Sequence, residues 1–459
     1  MRSVDNNEAC DEVTLNQDSY LQARAVYKNL VTLGFMNMLT NSAFVPAVTL
    51  VSSRAGKTLG NITFSLNLIF SCLFSFISVS VMNDETSKKK AILVGDICVI
   101  GFAACNWYIS YYTLIPGTVL YGVGLATTWI VSLIYVNKIA RCHARKRSQS
   151  EASVISFFTG ILVAFSVAGY IVGNATTSGI LTILKSDDTN NNDTSNELQS
   201  NYTESSKECV TNDDALETNV VTANVLGGTI VLFSVLALLI TVLILDNLEK
   251  HRDKLKYTTV VFNALQQIKS NTVSVGKIVI KKEMLTSVPV FFVSGMSLGF
   301  IFSSYTKTYV SECVGVHVVG YTVMLYGVGN TLSSFVSGKL LGMKLKLPMV
   351  LGVLVFHLAI MLFLIIWERE PILPLLLFVS SLWGICDGVW LTVYSSFASN
   401  FGEDTRHPFI IYRMFYLFGV GFNSLLALVV SVKMNIIILS ILFLVFTSLH
   451  LIVTTKCSL

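Results

Sequence analysis

Charge is what this chain has least of. Only 13% of its 459 residues are Asp, Glu, Lys or Arg, against 53% hydrophobic residues and a mean hydropathy of +0.65. A soluble globular domain carries about 25% charged residues, so that class is excluded. Nor is a cleavable signal peptide expected. Residues 1–24 hold Asp5, Glu8, Asp11, Glu12 and Asp18 with no apolar centre, and the first apolar span is expected to act as its own insertion signal. No nucleophile elbow, phosphate-binding loop, dinucleotide fingerprint or zinc spacing occurs, and Gly122-Val-Gly124 falls mid-span rather than after a strand. His317, His357 and His450 match no helix-borne metal pair and read as packing or interface residues, the first two near opposite membrane faces. Neither an enzyme nor a metal or cofactor is expected. The net charge of +4 comes from basic loops and calls for no nucleic-acid partner.

What is present is a series of long uncharged runs, each near the ~20 residues that cross a hydrocarbon core as a helix. Twelve are expected, at 28–50, 60–82, 91–109, 113–137, 152–174, 223–245, 285–304, 316–337, 347–367, 373–397, 408–432 and 434–453. Barrel strands would be ~9–11 residues long and alternating, so the fold class is all-α. The expected division is a cytoplasmic tail 1–27, a six-helix bundle 28–245 with an outer loop 175–222, a cytoplasmic linker 246–284, a second six-helix bundle 285–453, and a tail 454–459.

Lys and Arg are retained in short cytoplasmic loops. With the amino terminus inside, 24 of the 32 Lys and Arg residues lie on the cytoplasmic side and seven outside, Arg413 being within a span. Both termini are therefore expected in the cytoplasm. The sequons at Asn192 and Asn201 fall in the loop that this count places outside, where glycans attach. Those at Asn61 and Asn174 abut helix ends and are discounted. Among the nine cysteines only Cys209 and Cys313 are expected outside, where they either pair across two outer loops or remain free thiols. The linker from Asp246 to Glu283 mixes cationic and apolar residues, as a helix lying on the membrane surface does, or is a plain solvated connection.

Six spans, a polar segment and six more form the layout of a duplicated bundle. LYGVGLATTWI in span four matches LWGICDGVWLT in span ten, and each half has a basic turn before an apolar helix: MNDETSKKKAILVG and SGKLLGMKLKLPMVLG. The stretches YYTLIPGTVLYGVGLATTW, FSSYTKTYVSECVGVHVVGY, SLWGICDGVW and IYRMFYLFGVGF resemble the unc-93-like family of the major facilitator superfamily, homolog A type, across nearly the whole membrane region. The resemblance implies a twelve-helix facilitator fold in a protein that regulates other membrane proteins. One branch of the family resembles a regulatory subunit of a two-pore potassium channel; another escorts nucleic-acid-sensing receptors to endolysosomes. Transporting facilitators resemble Gly-X-X-X-Asp-Arg-X-Gly-Arg-Arg between spans two and three. Here VSVMNDETSKKK offers Asp84 and three lysines, so a weak or absent latch is expected, which counts against ordinary alternating access.

Two charges lie well inside spans, Asp387 about midway along the tenth and Arg413 within the eleventh. An unpaired charge in hydrocarbon costs ~2.5–3.5 kcal/mol on the lenient insertion scale, so the two are expected to pair. The pair is either a proton or cation coupling site or a structural clamp. The scarcity of other buried acids favours the clamp, because coupled carriers use more than one titrating group. Asp96, a turn and a half from Lys88–Lys90, is expected at the cytoplasmic headgroups. Trp129, Trp383 and Trp390 sit near glycines on spans four and ten, as core packing or as the wall of a cavity for an apolar ligand. Tyr305, Lys307, Tyr309 and Glu312 read as an interfacial belt at the outer mouth, where a partner surface is sought. The expected function is a regulatory or trafficking subunit of a channel or receptor, in the plasma membrane by default or in endolysosomes. The alternative is a proton- or cation-coupled carrier of a small solute.

Overall fold

The computed structural model describes residues 19–54, 56–81, 87–108, 110–191, 220–248, 270, 272–315, 318–343, 345–401 and 406–457. Among them there is no strand. Twelve long helices follow in order. They are α1 (Ser19–Arg54), α2 (Gly56–Val81), α3 (Lys88–Cys105), α4 (Tyr111–Lys146), α5 (Glu151–Asn191), α6 (Val220–Leu243), α7 (Lys282–Ser311), α8 (Val319–Gly342), α9 (Lys346–Ile366), α10 (Leu373–Asn400), α11 (Arg406–Val429) and α12 (Val432–Cys457). Helix α7 is an α-helix to Gly299 and a π-helix from Phe300 to Ser311.

Among the described residues nine helices are long and apolar enough to cross a membrane. Helix α8 falls short because it buries Asn330, Ser333, Ser334 and Ser337, of which the first three bond within the helix or to α10 rather than facing lipid. Outward faces are apolar, as lipid requires: Leu351, Val355, Leu362 and Ile366 of α9 are exposed. Helix α5 runs on to Asn191, through the start of the segment expected as loop. Thr176 and Thr177 bond back to the carbonyls of Val172 and Gly173 there, so their hydroxyls do not interrupt the turn.

The duplication is visible in which helices touch. A Cβ on Gly169 or Gly173 of α5 would strike the backbone of Met38 or Ser42 in α1; in the second half, Gly295 of α7 and Gly419 of α11 lie equally close to Tyr416 and Phe292. Gly122 of α4 packs on Phe70 of α2, as Gly384 of α10 packs on Tyr326 of α8. Thr241 of α6 bonds to Asp96 of α3 at 2.7 Å, and Ser440 of α12 contacts the Met361 sulfur of α9 at 3.2 Å. Close approach through small residues is how helices associate where lipid cancels the hydrophobic drive.

The two bundles meet along α5 and α8. Gly342 lies against Ser153, Gly338 against Gly160, Gly327 against Tyr170 and Ile171, and Gly320 against Ser178. From Gly320 to Gly342 is about 33 Å of helix, the thickness of a hydrocarbon core. Hydrogen bonds add to this join: Ser156 with Ser396 at 2.6 Å, and Asn137 Nδ2 to the Ser399 carbonyl at 3.0 Å. On the opposite side, α2 and α11 touch more lightly, through the Cys72 thiol and the Met414 carbonyl at 3.2 Å.

The turn before α3 does latch, by a different chemistry from the one sought. Asp84 lies outside the described residues, but Lys89 Nζ donates to the carbonyls of Val242 at 2.9 Å and Leu245 at 2.6 Å. A cation there caps the carboxyl end of α6. Beside it Lys28 meets Asp246 at 2.6 Å, Asn29 bonds to both the Asp246 carboxylate and its amide, and the Tyr135 hydroxyl reaches the Asp246 carbonyl at 2.9 Å.

Candidate functional site

Asp387 is buried at the centre of a polar network confined to the second bundle. Its two oxygens each accept one hydroxyl, from Ser297 of α7 at 2.6 Å and Tyr326 of α8 at 2.9 Å. Ser297 in turn accepts the Trp383 indole N–H at 2.9 Å, and the Tyr326 oxygen accepts Asn330 Nδ2 at 3.2 Å. Asn330 Oδ1 takes the Ser334 hydroxyl at 3.1 Å. The network thus joins α7, α8 and α10 through groups that lipid would leave unsatisfied.

Arg413 is elsewhere, and the expected pair with Asp387 is not formed. Among the described residues no carboxylate lies within 4.0 Å of its guanidinium. Helix α10 turns Asp387 inward to α7 and α8, whereas α11 turns Arg413 across to the first bundle. The guanidinium carbon stands 5.8 Å from the Trp129 ring of α4 and 6.0 Å from the Tyr416 ring. Arg413 is 8% exposed and its Nε has no hydrogen-bond partner; Trp129, 7% exposed, likewise leaves its indole N–H unpartnered.

Both groups line a cavity of about 110 Å³ between the bundles. Its walls come from α1, α2, α4, α5, α7, α10 and α11, with Tyr121, Tyr170, Phe302 and Tyr416 among them, and among the described residues Arg413 is the one charged lining residue. Asp387 does not line it, nor do Trp383 and Trp390. Those two tryptophans are fully buried around His357, whose Nδ1 takes the Trp390 N–H at 3.2 Å and whose ring stands edge-on to Trp383 at 4.6 Å.

Other expectations need correction. Asp96 is not at the headgroups: it is 1% exposed, and one of its oxygens is held by Thr241 while the other has no partner. Tyr305 and Tyr309 form no interfacial belt. The wide π-helical turn carries them inward, where their hydroxyls reach the carbonyls of Leu376 at 2.7 Å and Leu364 at 3.3 Å. Glu312 stands 4.0 Å from Arg369. His357 is mid-helix and wholly buried rather than near a membrane face. Asn192, Asn201, Cys209 and His317 lie outside the described residues. Cys313 is disulfide-bonded, and so is Cys142, near the end of α4 that holds Arg145 and Lys146, where reduced thiols were expected.

No family model matches the chain. The frog protein named unc-93 homolog A, from Xenopus laevis, is 24% identical over 430 residues, covering 90% of both chains. The chain is similar to the unc-93 proteins along most of its length. A nematode relative from Caenorhabditis elegans, named as a putative potassium channel regulatory protein, is 21% identical over 90% of this chain and 59% of its own length. Among solved structures, the human organic anion transporter MFSD10 superposes with a TM-score of 0.61 at 12% identity, covering 93% of this chain and 99% of that one. At that identity the likeness shows the major facilitator fold alone. By name the nematode relative is a channel regulatory protein and the structural neighbour a transporter.

Proposed function

We propose that this chain is a non-transporting facilitator-fold subunit that regulates an ion channel of the potassium-channel class. The name of the nematode relative supports the class of partner. The observation that carries the reading is the α5–α8 seam, where glycines from Gly320 to Gly342 lie close against α5 and Gly338 meets the Gly160 backbone. Alternating access needs the bundles to part on one membrane face and then the other, and this seam ties both faces at once. Asp387 fits the same reading as a fastener of α7, α8 and α10, set apart from the cavity and bonded only to neutral groups.

In this reading both termini face the cytoplasm and the protein resides in the plasma membrane. Asn192 and Asn201 then carry glycans outside, and Cys313 takes Cys209 as its disulfide partner. The division into bundles 28–245 and 285–453, joined by the cytoplasmic segment 246–284, completes the arrangement.

The deciding experiment is purification from native cells in mild detergent with quantitative mass spectrometry of what accompanies the protein. A near-stoichiometric potassium-channel subunit, whose current changes when this chain is co-expressed, is expected. A protein that purifies alone and drives solute uptake sensitive to Asp387→Asn would establish the carrier reading instead.

A further inference from the structure

The cavity between the bundles holds two buried donors with nothing to donate to. Arg413 Nε and Trp129 Nε1 have no partner, and both residues are more than nine-tenths buried. A guanidinium has five N–H donors and no acceptor, an indole a single donor, so both groups call for a hydrogen-bond acceptor with lone pairs to offer. Burying an uncompensated charge costs several kcal/mol, more than the two aromatic faces beside Arg413 return at ~2 kcal/mol. The missing component has the chemistry of an anion.

The remaining walls define the rest of it. Phe44, Phe64, Leu68, Leu125, Leu298 and Phe302 surround the cavity with hydrocarbon. A hydrated inorganic ion gains little from such walls, whereas an apolar body loses water to them. A cavity of about 110 Å³ holds several water molecules at ~10–15 Å³ each, so a compact organic group fits. The charge sits at one point of a wall that is mostly hydrocarbon, with Asn41, Ser166 and three tyrosines as its other polar residues, which suits an amphiphile with a single anionic head.

We infer that this cavity binds a small amphiphilic carboxylate, its head received by Arg413 and the Trp129 indole N–H and its body by the aromatic and aliphatic walls. Because Trp129 belongs to α4 of the first bundle and Arg413 to α11 of the second, such a ligand would bond to both halves at once. This goes beyond the regulator reading and does not depend on it.

The test uses the full-length protein in detergent, with benzoate as the probe and benzamide and chloride as comparisons. Benzoate is expected to raise the apparent melting temperature saturably, by mass action on the folded state, while isosteric neutral benzamide does not. Arg413→Gln should weaken benzoate binding by at least about tenfold, as loss of a hydrogen bond between charged partners does. Trp129→Phe, which keeps the arginine and the ring, should weaken it several-fold and guards against a misfolded Arg413 variant. Three results would overturn the proposal. They are no benzoate effect on well-folded protein, equal stabilisation by benzamide, or stabilisation by chloride that benzoate does not exceed.

Discussion

Removing the Asp387 side chain tests how the second bundle is held together. In Asp387→Ala the buried hydroxyls of Ser297 and Tyr326 lose their acceptor. Each stranded buried donor costs about 1–3 kcal/mol, so the variant should lose about 2–6 kcal/mol. Asp387→Asn keeps one carbonyl oxygen for Ser297 and turns an amide toward Tyr326, whose oxygen already accepts Asn330 Nδ2. One hydroxyl proton is then left without an acceptor, and the loss should be about half as large, about 1–3 kcal/mol. Ser297→Ala strands the Trp383 indole N–H and one carboxylate oxygen, so combining it with Asp387→Ala should cost less than the sum of the two. The assay is unfolding of purified protein in detergent followed by tryptophan fluorescence, with apparent melting temperatures compared at one heating rate. The reasoning fails if Asp387→Ala melts with the wild type, or if the two substitutions are strictly additive. A fully stable Asp387→Asn that has lost all function would assign the carboxylate a chemical role instead.

Three further outcomes are expected. Gly338→Leu places a side chain where Gly160 already touches, so it should part the α5–α8 seam and lower folded yield sharply, read by size-exclusion monodispersity, while Gly352→Leu, with open space around it, should not. Thr241→Val removes the one hydroxyl bonded to Asp96 and should cost about 1–3 kcal/mol in the same unfolding assay; Asp96→Asn in that background should recover part of it. Lys89→Met should free the end of α6 at a cost of about 1 kcal/mol and speed cleavage by added protease near residues 242–248, with unchanged cleavage counting against the cap.

The fold was readable because lipid imposes it: long uncharged runs have to be helices, and the twin motifs of spans four and ten mark the duplication. Gly122 and Gly384, third in each motif, make the same contact, one on Phe70 and the other on Tyr326. The same register also holds the correction for the tryptophans. Trp129 aligns with Leu391, not Trp390, and Leu391 is the α10 residue that lines the cavity. One residue along a helix is ~100° around it, enough to turn Trp390 to His357. The Asp387–Arg413 pairing went astray for a related reason. Helix α10 spreads its apolar and small polar residues around the helix without an amphipathic stripe, so its sequence carries no clear signal for rotation, and charge alone cannot say which neighbour a residue meets. The buried Tyr305 and Tyr309 were hidden by the π-helical segment, whose wider turn breaks the 3.6-residue spacing on which face assignments rest.

The unequal joins between the bundles set the direction in which the molecule can yield. A glycine seam the full height of α8 acts as the spine of a book, while the opposite edge between α2 and α11 is joined more lightly, by the Cys72 thiol on the Met414 carbonyl and Leu68 against Gly421. Relative rotation of the halves then has its axis along the membrane normal, and the edge that opens faces the hydrocarbon of the bilayer. Exchange between the central cavity and its surroundings would run sideways through lipid, and a neighbouring transmembrane helix pressed against α2 and α11 would hold that door shut.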